Sequence, residues 1–308
     1  MHASNQIFYG TSIFADRLIP LMKIFFPENK ISAKILFALL FTSLTFLSDC
    51  TRDGDSQYTD PCGGSSPGGL VNLLVSTDDD IKMGLSTVTE IEGNSNTYHI
   101  LDSAQYSTAY GHIYRIRNTI LAGGKVHYEH DFPWRIRILK DDSTLNAFCT
   151  PGGFIYVYTG IIKFLDNETQ LAGVIGHEMA HADRRHGANQ MIKQYGVTAL
   201  LSILTGGNPG TLTQLAVNLL LLKYSRADET EADDYSVRFL YPTEYDPRGA
   251  KYFFEKIGTQ PVPEFLSTHP NPENRVKDIE AKWKCLGGRI DDQTFETRYA
   301  QFKNSLPH

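Results

Sequence analysis

One short stretch, Gly176-His177-Glu178-Met179-Ala180-His181, constrains this chain more than any other. Histidines at i and i+4 share one face of a helix, with Cβ atoms about 5–6 Å apart. At that spacing two imidazole nitrogens can meet on a single tetrahedral Zn²⁺. Glu178 sits about 100° round the same helix, near enough to reach a metal-held water but badly placed to act as a ligand. The competing reading, two unrelated histidines on a surface helix, has to be weighed against the surrounding sequence.

Two protein ligands leave a zinc site short of a third. Asn167-Glu168-Thr169-Gln170 predicts the start of the histidine helix, a cap residue with Gln three places on, and the helix is expected to run to about Met191. Gly173 and Ala180 share the histidine face and leave room for another element. His186 lies only five residues past His181. The longer H-E-x-x-H-x-x-G-x-x-H pattern needs glycine at position 184 and histidine at 187, where this chain has Arg184 and Gly187. That class is excluded, and His186 is read as a packing or hydrogen-bonding residue. After the Gly-rich stretch 205–210, Thr211 and Gln214 are expected to cap a second long helix carrying Ser225-Arg226-Ala227-Asp228-Glu229-Thr230-Glu231-Ala232-Asp233. A carboxylate from such a helix completes a His₂Glu site and leaves one position for water. Leu222, Ser225, Glu229, Ala232, Asp233, Ser236 and Leu240 fall within roughly 40–60° of one direction on the helical wheel. Glu231 lies about 200° away beside Asp234 and Arg238, where a solvated charge is expected. Glu229 is therefore the expected ligand, with Asp233 holding the second ring nitrogen of a histidine.

The remaining segments frame this site. Tyr106, Tyr110, Ile113, Ile116 and Ile120 recur at helical spacing as a core stripe that Gly123-Gly124 ends. Residues 134–139 alternate polar and apolar, the pattern of a half-buried strand. Pro151-Gly152-Gly153 launches a β-branched and aromatic run, in which Gly153, Ile155 and Val157 are candidates for an edge strand that pairs with an extended substrate. A plain sheet strand is an equal alternative. Asp246-Pro247 and Gly258 are expected to open and close a further helix. His269 and Arg275 come from a third segment, as candidates to reach the cleft and stabilise an oxyanion, or as a cap and a salt bridge. The helix around Phe295, Tyr299 and Phe302 reads as packing. The expected fold is mainly α with a small β-sheet (α+β), its active-site helix bordered by an edge strand.

The first fifty residues read differently from the rest. Residues 35–48 are apolar or hydroxylated and uncharged, follow Lys23, Lys30 and Lys34, and are too short for an ordinary spanning helix. The expectation is an export signal within 1–49, with Met22 a more natural start than Met1 and residues 1–21 upstream of it. Leu47-Ser48-Asp49-Cys50 resembles a bacterial lipoprotein cleavage box with Cys50 as the lipidated residue, although Asp49 departs from the small residue usual there. Residues 50–78, rich in Gly, Ser, Asp and Pro, are expected to be a flexible tether, and 79–308 the folded domain. The four cysteines show no metal-ligand spacing. Cys62 and Cys285 could pair in an oxidising compartment, but sequence does not fix the connectivity. A net charge of −6 without a long basic run argues against nucleic acid.

Taken together, 146–160, His177-Glu178-x-x-His181, Arg185-His186, Ser225-Arg226-x-x-Glu229-x-x-Ala232-Asp233, and Thr268-His269-Pro270 with Arg275 resemble the HtpX and CAAX prenyl endoprotease family of zinc metallopeptidases. The likeness is to its soluble, exported bacterial branch, the BepA-like and LoiP-like proteins, and covers roughly residues 79–285. It implies a gluzincin domain binding one Zn²⁺ through His177, His181 and Glu229, with Glu178 as general base. The implied substrates are polypeptides at the cell envelope, reached from a lipid-anchored periplasmic position. The membrane helices and helical repeats of some family members are missing, so partners and oligomeric state are not carried over. Two other readings remain: an assembly or chaperone-like binding protein with a structural or regulatory zinc, and a hydrolase of non-peptide substrates. An intact Glu178 argues against the first, and a strand beside the cleft against the second.

Overall fold

The computed structural model describes residues 62–64, 69, 71–206, 208–258, 268–269, 274–291 and 293–307. The expected export signal, Cys50 and most of the expected tether lie outside the described residues, as does Pro270. The last part of the expected tether is folded instead, because helices α1 (Val71–Leu74) and α2 (Thr77–Gly93) already belong to the fold. Val71 and Val75 are buried. Ser76 and Asp79 cap α2 reciprocally, each side chain taking up the other's backbone N–H. Asp78, the last residue of the expected tether, already lies in the first turn of this helix, where negative charge complements the N-terminal dipole. Helix α3 (Ser107–Ala122) buries Tyr110, Ile113, Ile116 and Ile120, the expected stripe.

Three strands follow, β1 (Arg135–Leu139), β2 (Ala147–Thr150) and β3 (Phe154–Tyr158), in the order β1-β3-β2. β1 runs parallel to β3 with Ile136 opposite Ile155, and β2 runs antiparallel to β3 with Cys149 opposite Ile155. This corrects the expected edge strand. Ile155 and Val157 lie in the central strand with both sides paired, and Gly153 belongs to the turn before it. Pro151-Gly152-Gly153 folds the run back on itself, the two glycines at φ 76° and 78°, a region costly for other residues. Among the described residues the outer strands are β1 and β2, and β2 packs against the histidine helix.

Helices α4 (Thr159–Phe164), α5 (Glu168–Asp183), α6 (His186–Tyr195), α7 (Val197–Gly206), α8 (Pro209–Leu220), α9 (Arg226–Leu240), α10 (Gly249–Ile257), α11 (Arg275–Cys285) and α12 (Glu296–Asn304) follow among the described residues. Both long helices expected from sequence are broken. The histidine helix α5 stops at Asp183, and Arg185 turns the chain in a left-handed conformation (φ 58°). Its buried guanidinium bonds Asp80, Asn72 and the carbonyls of Val75 and Ser76, so the break is held by the segment leading into α2. The second helix splits because Asn208 caps α8 and Ser225 with Asp228 forms a fresh capping box for α9. Helix α10 likewise starts at Gly249 rather than at Pro247, since the Asp246 carboxylate accepts the Arg248 N–H in a turn first.

Helix α5 is buried along its whole length. It gets there by losing side-chain bulk: a Cβ on Gly173 would stand 2.0 Å from the Ala250 nitrogen of α10. One on Gly176 would stand 3.0 Å from Ser236 Oγ of α9. The expected close approach is real, with α10 at Gly173 and α9 one turn on. Cys62 is disulfide-bonded to Cys285 at the end of α11, with Cα atoms 5.6 Å apart. Among the described residues no helix is long and apolar enough to cross a membrane.

Candidate metal centre

His177 and His181 project from the middle of α5, and Glu229 projects from the first turns of α9. The phase argument for Glu229 holds: its carboxylate is fully buried, and Ala232, Asp233 and Ser236 share its face against α5. His177 Nε2 and His181 Nε2 are 3.0 Å apart. Glu229 places one oxygen 3.5 Å from the first and the other 3.3 Å from the second. Ligands at about 2.0–2.1 Å around a tetrahedral zinc are separated by about 3.3 Å, so these spacings are those of a coordination shell. His269 joins them, with Nδ1 3.1 Å from Glu229 Oε1. The four side chains offer ligand atoms all within 4.8 Å of one another.

The hydrogen bonds behind these atoms say what the cluster requires. His177 Nδ1 donates to Asp233 Oδ1 at 2.9 Å, which turns Nε2 inward. His181 Nδ1 lies 2.9 Å from His186 Nδ1, and His186 Nε2 lies 3.1 Å from Glu231 Oε2. One proton arrangement satisfies that chain, His186 giving its Nε2 hydrogen to Glu231 and taking the Nδ1 hydrogen of His181. Two inward Nε2 lone pairs then face each other beside a carboxylate, and only a positive charge between them relieves the repulsion. Without a metal a proton does so. Burial alone would lower the His177 imidazole, but hydrogen bonds to Asp233 and Glu229 outweigh it and raise it to about 9. Burial pushes His181 well below its usual range. Burial would raise Glu229, but His269 and His181 beside it hold its carboxyl far below normal. A donor set that competes for one positive charge fits Zn²⁺, and metal binding releases the proton.

Arg275 is corrected by its position. It grips Asp233 with two hydrogen bonds of 2.6 Å, reaches Glu229 Oε2 at 3.2 Å and stacks on Phe254. That places it behind the ligands, where it orients them, rather than beside a reacting carbonyl. His269, expected to reach the cleft from a third segment, does so, and its ring nitrogens lie against Glu229 and the two histidines. Its Nε2 is also 3.5 Å from Glu178 Oε1. Glu231 is not the solvated charge expected, since it binds Arg184 and His186. Tyr224 was not singled out from sequence. It stacks on His181 with ring centroids 3.9 Å apart, and only its place immediately before the Ser225 cap hinted at it. Glu178 itself is fully buried, and among the described residues neither of its oxygens accepts a hydrogen bond. Burial raises its carboxyl above the usual range.

Comparison with known proteins agrees with this chemistry. A sequence model described as Peptidase family M48 matches residues 111–282. The mitochondrial metalloendopeptidase OMA1 of Schizosaccharomyces pombe is 32% identical over 158 residues, covering 49% of this chain and 47% of that protein. OMA1 of Arabidopsis thaliana is 34% identical over 148 residues, 47% of this chain and 30% of its own. The beta-barrel assembly-enhancing protease of Escherichia coli K12 is 27% identical over 264 residues, 80% of this chain and 51% of its own. The chain thus spans about half the length, or less, of these curated relatives.

Proposed function

The chain belongs to peptidase family M48, and on that premise we propose that it is a zinc-dependent endopeptidase of the bacterial cell envelope. Its substrates are unfolded or misassembled proteins, a class suggested by the name of the E. coli relative, which joins proteolysis to β-barrel assembly. Exported and lipidated at Cys50, it works from a membrane surface. The observation that carries the endopeptidase reading is Glu178, a buried carboxylate with no hydrogen bond among the described residues, set on the helix that supplies two of the metal donors.

His177, His181 and Glu229 hold the metal. Zinc held there would supply Lewis acidity toward a carbonyl and a water. Asp233, oriented by Arg275, fixes the His177 tautomer, and His186 does the same for His181. Glu178 takes the water's proton on a carboxylate oxygen and delivers it to the departing amine nitrogen. Its raised pKa suits both halves of that transfer, because a carboxylate too acidic would take the proton poorly. Edge strand β2 offers backbone partners to an extended substrate.

Glu178→Gln removes the base and leaves the donors in place. Zinc content should be unchanged while casein hydrolysis falls by at least about 10²-fold. A zinc-replete variant that digests casein at the wild-type rate would rule the mechanism out and favour a binding protein.

A further inference from the structure

The two histidines of α5 are supported in different ways. His177 Nδ1 meets the Asp233 carboxylate, which Arg275 holds in turn with two hydrogen bonds of 2.6 Å. His181 Nδ1 meets another imidazole, His186, at 2.9 Å. One hydrogen bond aims a ring nitrogen but lets the ring tilt about that line, and a contact on the ring face stops the tilt. Tyr224, in the link between α8 and α9, makes that contact. Its ring lies 3.9 Å from that of His181, centroid to centroid, with the planes 19° apart.

Tyr224 is itself held in place. It is buried, and its hydroxyl lies 3.8 Å from Cys149 Sγ on β2. Its backbone N–H donates to the Thr268 carbonyl at 3.3 Å, one residue before His269, and the Tyr224 and His269 rings are 5.9 Å apart. One residue thus joins a sheet strand, a histidine of α5 and the segment that brings in His269. The stack is also polarised. An imidazole that gives its Nε2 lone pair to a cation becomes electron-poor, whereas the face of a phenol ring carries negative charge. The contact is therefore stronger in the metal-loaded protein than in the empty one. An interaction that is stronger in the loaded state raises metal affinity by that difference.

We propose that Tyr224 is a positioning residue of the metal centre. Its ring face sets the tilt of His181, and its N–H ties the His269 segment to the same point. The face of the ring is what acts, since the hydroxyl points away to a thiol. The inference rests on the metal assignment and not on the endopeptidase reading.

The test is zinc affinity of the full-length protein, by competition with a chelator, together with the visible spectrum of the cobalt(II)-substituted form. Tyr224→Phe keeps the face, and should hold zinc within about twofold of wild type with unchanged cobalt bands. Tyr224→Leu removes it, and should weaken zinc about tenfold and shift the bands, the low end of what groups behind metal ligands contribute. Pentafluorophenylalanine at position 224 keeps the shape of Phe and reverses the charge of its face. It should weaken zinc at least about threefold relative to Tyr224→Phe, and it reads the stack even where the Leu variant does not fold. Phe302→Leu, a buried aromatic lost from α12 instead, should lower Tm and leave zinc affinity unchanged. Wild-type affinity and bands in Tyr224→Leu overturn the proposal, as does a fluorinated variant that matches Tyr224→Phe. Equal loss in Tyr224→Phe assigns the effect to the hydroxyl and overturns it too. Wild-type protein that takes up no zinc overturns the metal assignment beneath it.

Discussion

Glu229 and Glu231 are two residues apart on one helix and hold opposite stations in the site. Glu229 faces the two histidines, whereas Glu231 reaches only His181, from outside and through His186. Glu229→Ala should strip the metal and abolish peptide hydrolysis. Glu231→Ala should keep zinc at saturation and weaken its affinity by no more than about tenfold. Asp233→Ala, one bond closer, should weaken it about 10–100-fold. Zinc titration of the three variants checks the order, and a Glu231 variant that loses metal while Glu229→Ala keeps it would reverse the assignment. The ligands were legible in the sequence because they depend on helical phase, a local property. His269, Arg275 and Tyr224 were not placed by the same reasoning, because each enters the centre from a separate segment and only tertiary packing decides how deep it sits. The bond from His186 to Glu231 was invisible for a similar reason: it needs the chain to break at Arg185, which no periodicity announces.

At the scale of elements, α5 is held by contacts too close for side chains. Gly173→Ala would drive a methyl into the backbone of α10 and should lower Tm by at least about 5 °C or prevent folding. Thermal melts decide it, and an unchanged Tm would mean that α10 is free to move. The start of α2 is fixed electrostatically instead. Burial pushes the Asp80 carboxyl up to about 6, even though Arg185 beside it pulls the other way. The folded chain therefore binds the extra proton between pH 3.8 and about 6, and this group's contribution to stability falls as pH rises through that window. The swing is on the order of 3 kcal/mol, and Asp80→Asn should flatten that part of the stability–pH curve. A curve with the same slope would locate the proton elsewhere. Helices with caps and stripes, such as α3 and the start of α5, were readable in advance. Strand order was not, because β3 becomes central only when β1 arrives from 19 positions earlier in the register, Arg135 against Phe154.

At the scale of the whole molecule, the Cys62–Cys285 disulfide spans 223 residues, and closing so long a loop in the unfolded chain contributes up to roughly 5 kcal/mol by chain entropy. Wild-type protein should partition with membranes and show a lipid mass shift on its N-terminal peptide. Cys50→Ser should be released or left with its signal uncleaved. Wholly soluble wild-type protein without the mass shift would refute the anchor. The disulfide also sets how far such an anchor lets the catalytic domain roam. Were the leash to run from Cys50 to the first helix at Val71, its full stretch would be about 70 Å. Pinned at Cys62, it is about 12 residues long and can extend no more than about 40 Å. A lipid-anchored chain held at Cys62 would keep its metal centre closer to the bilayer than one held only from Val71.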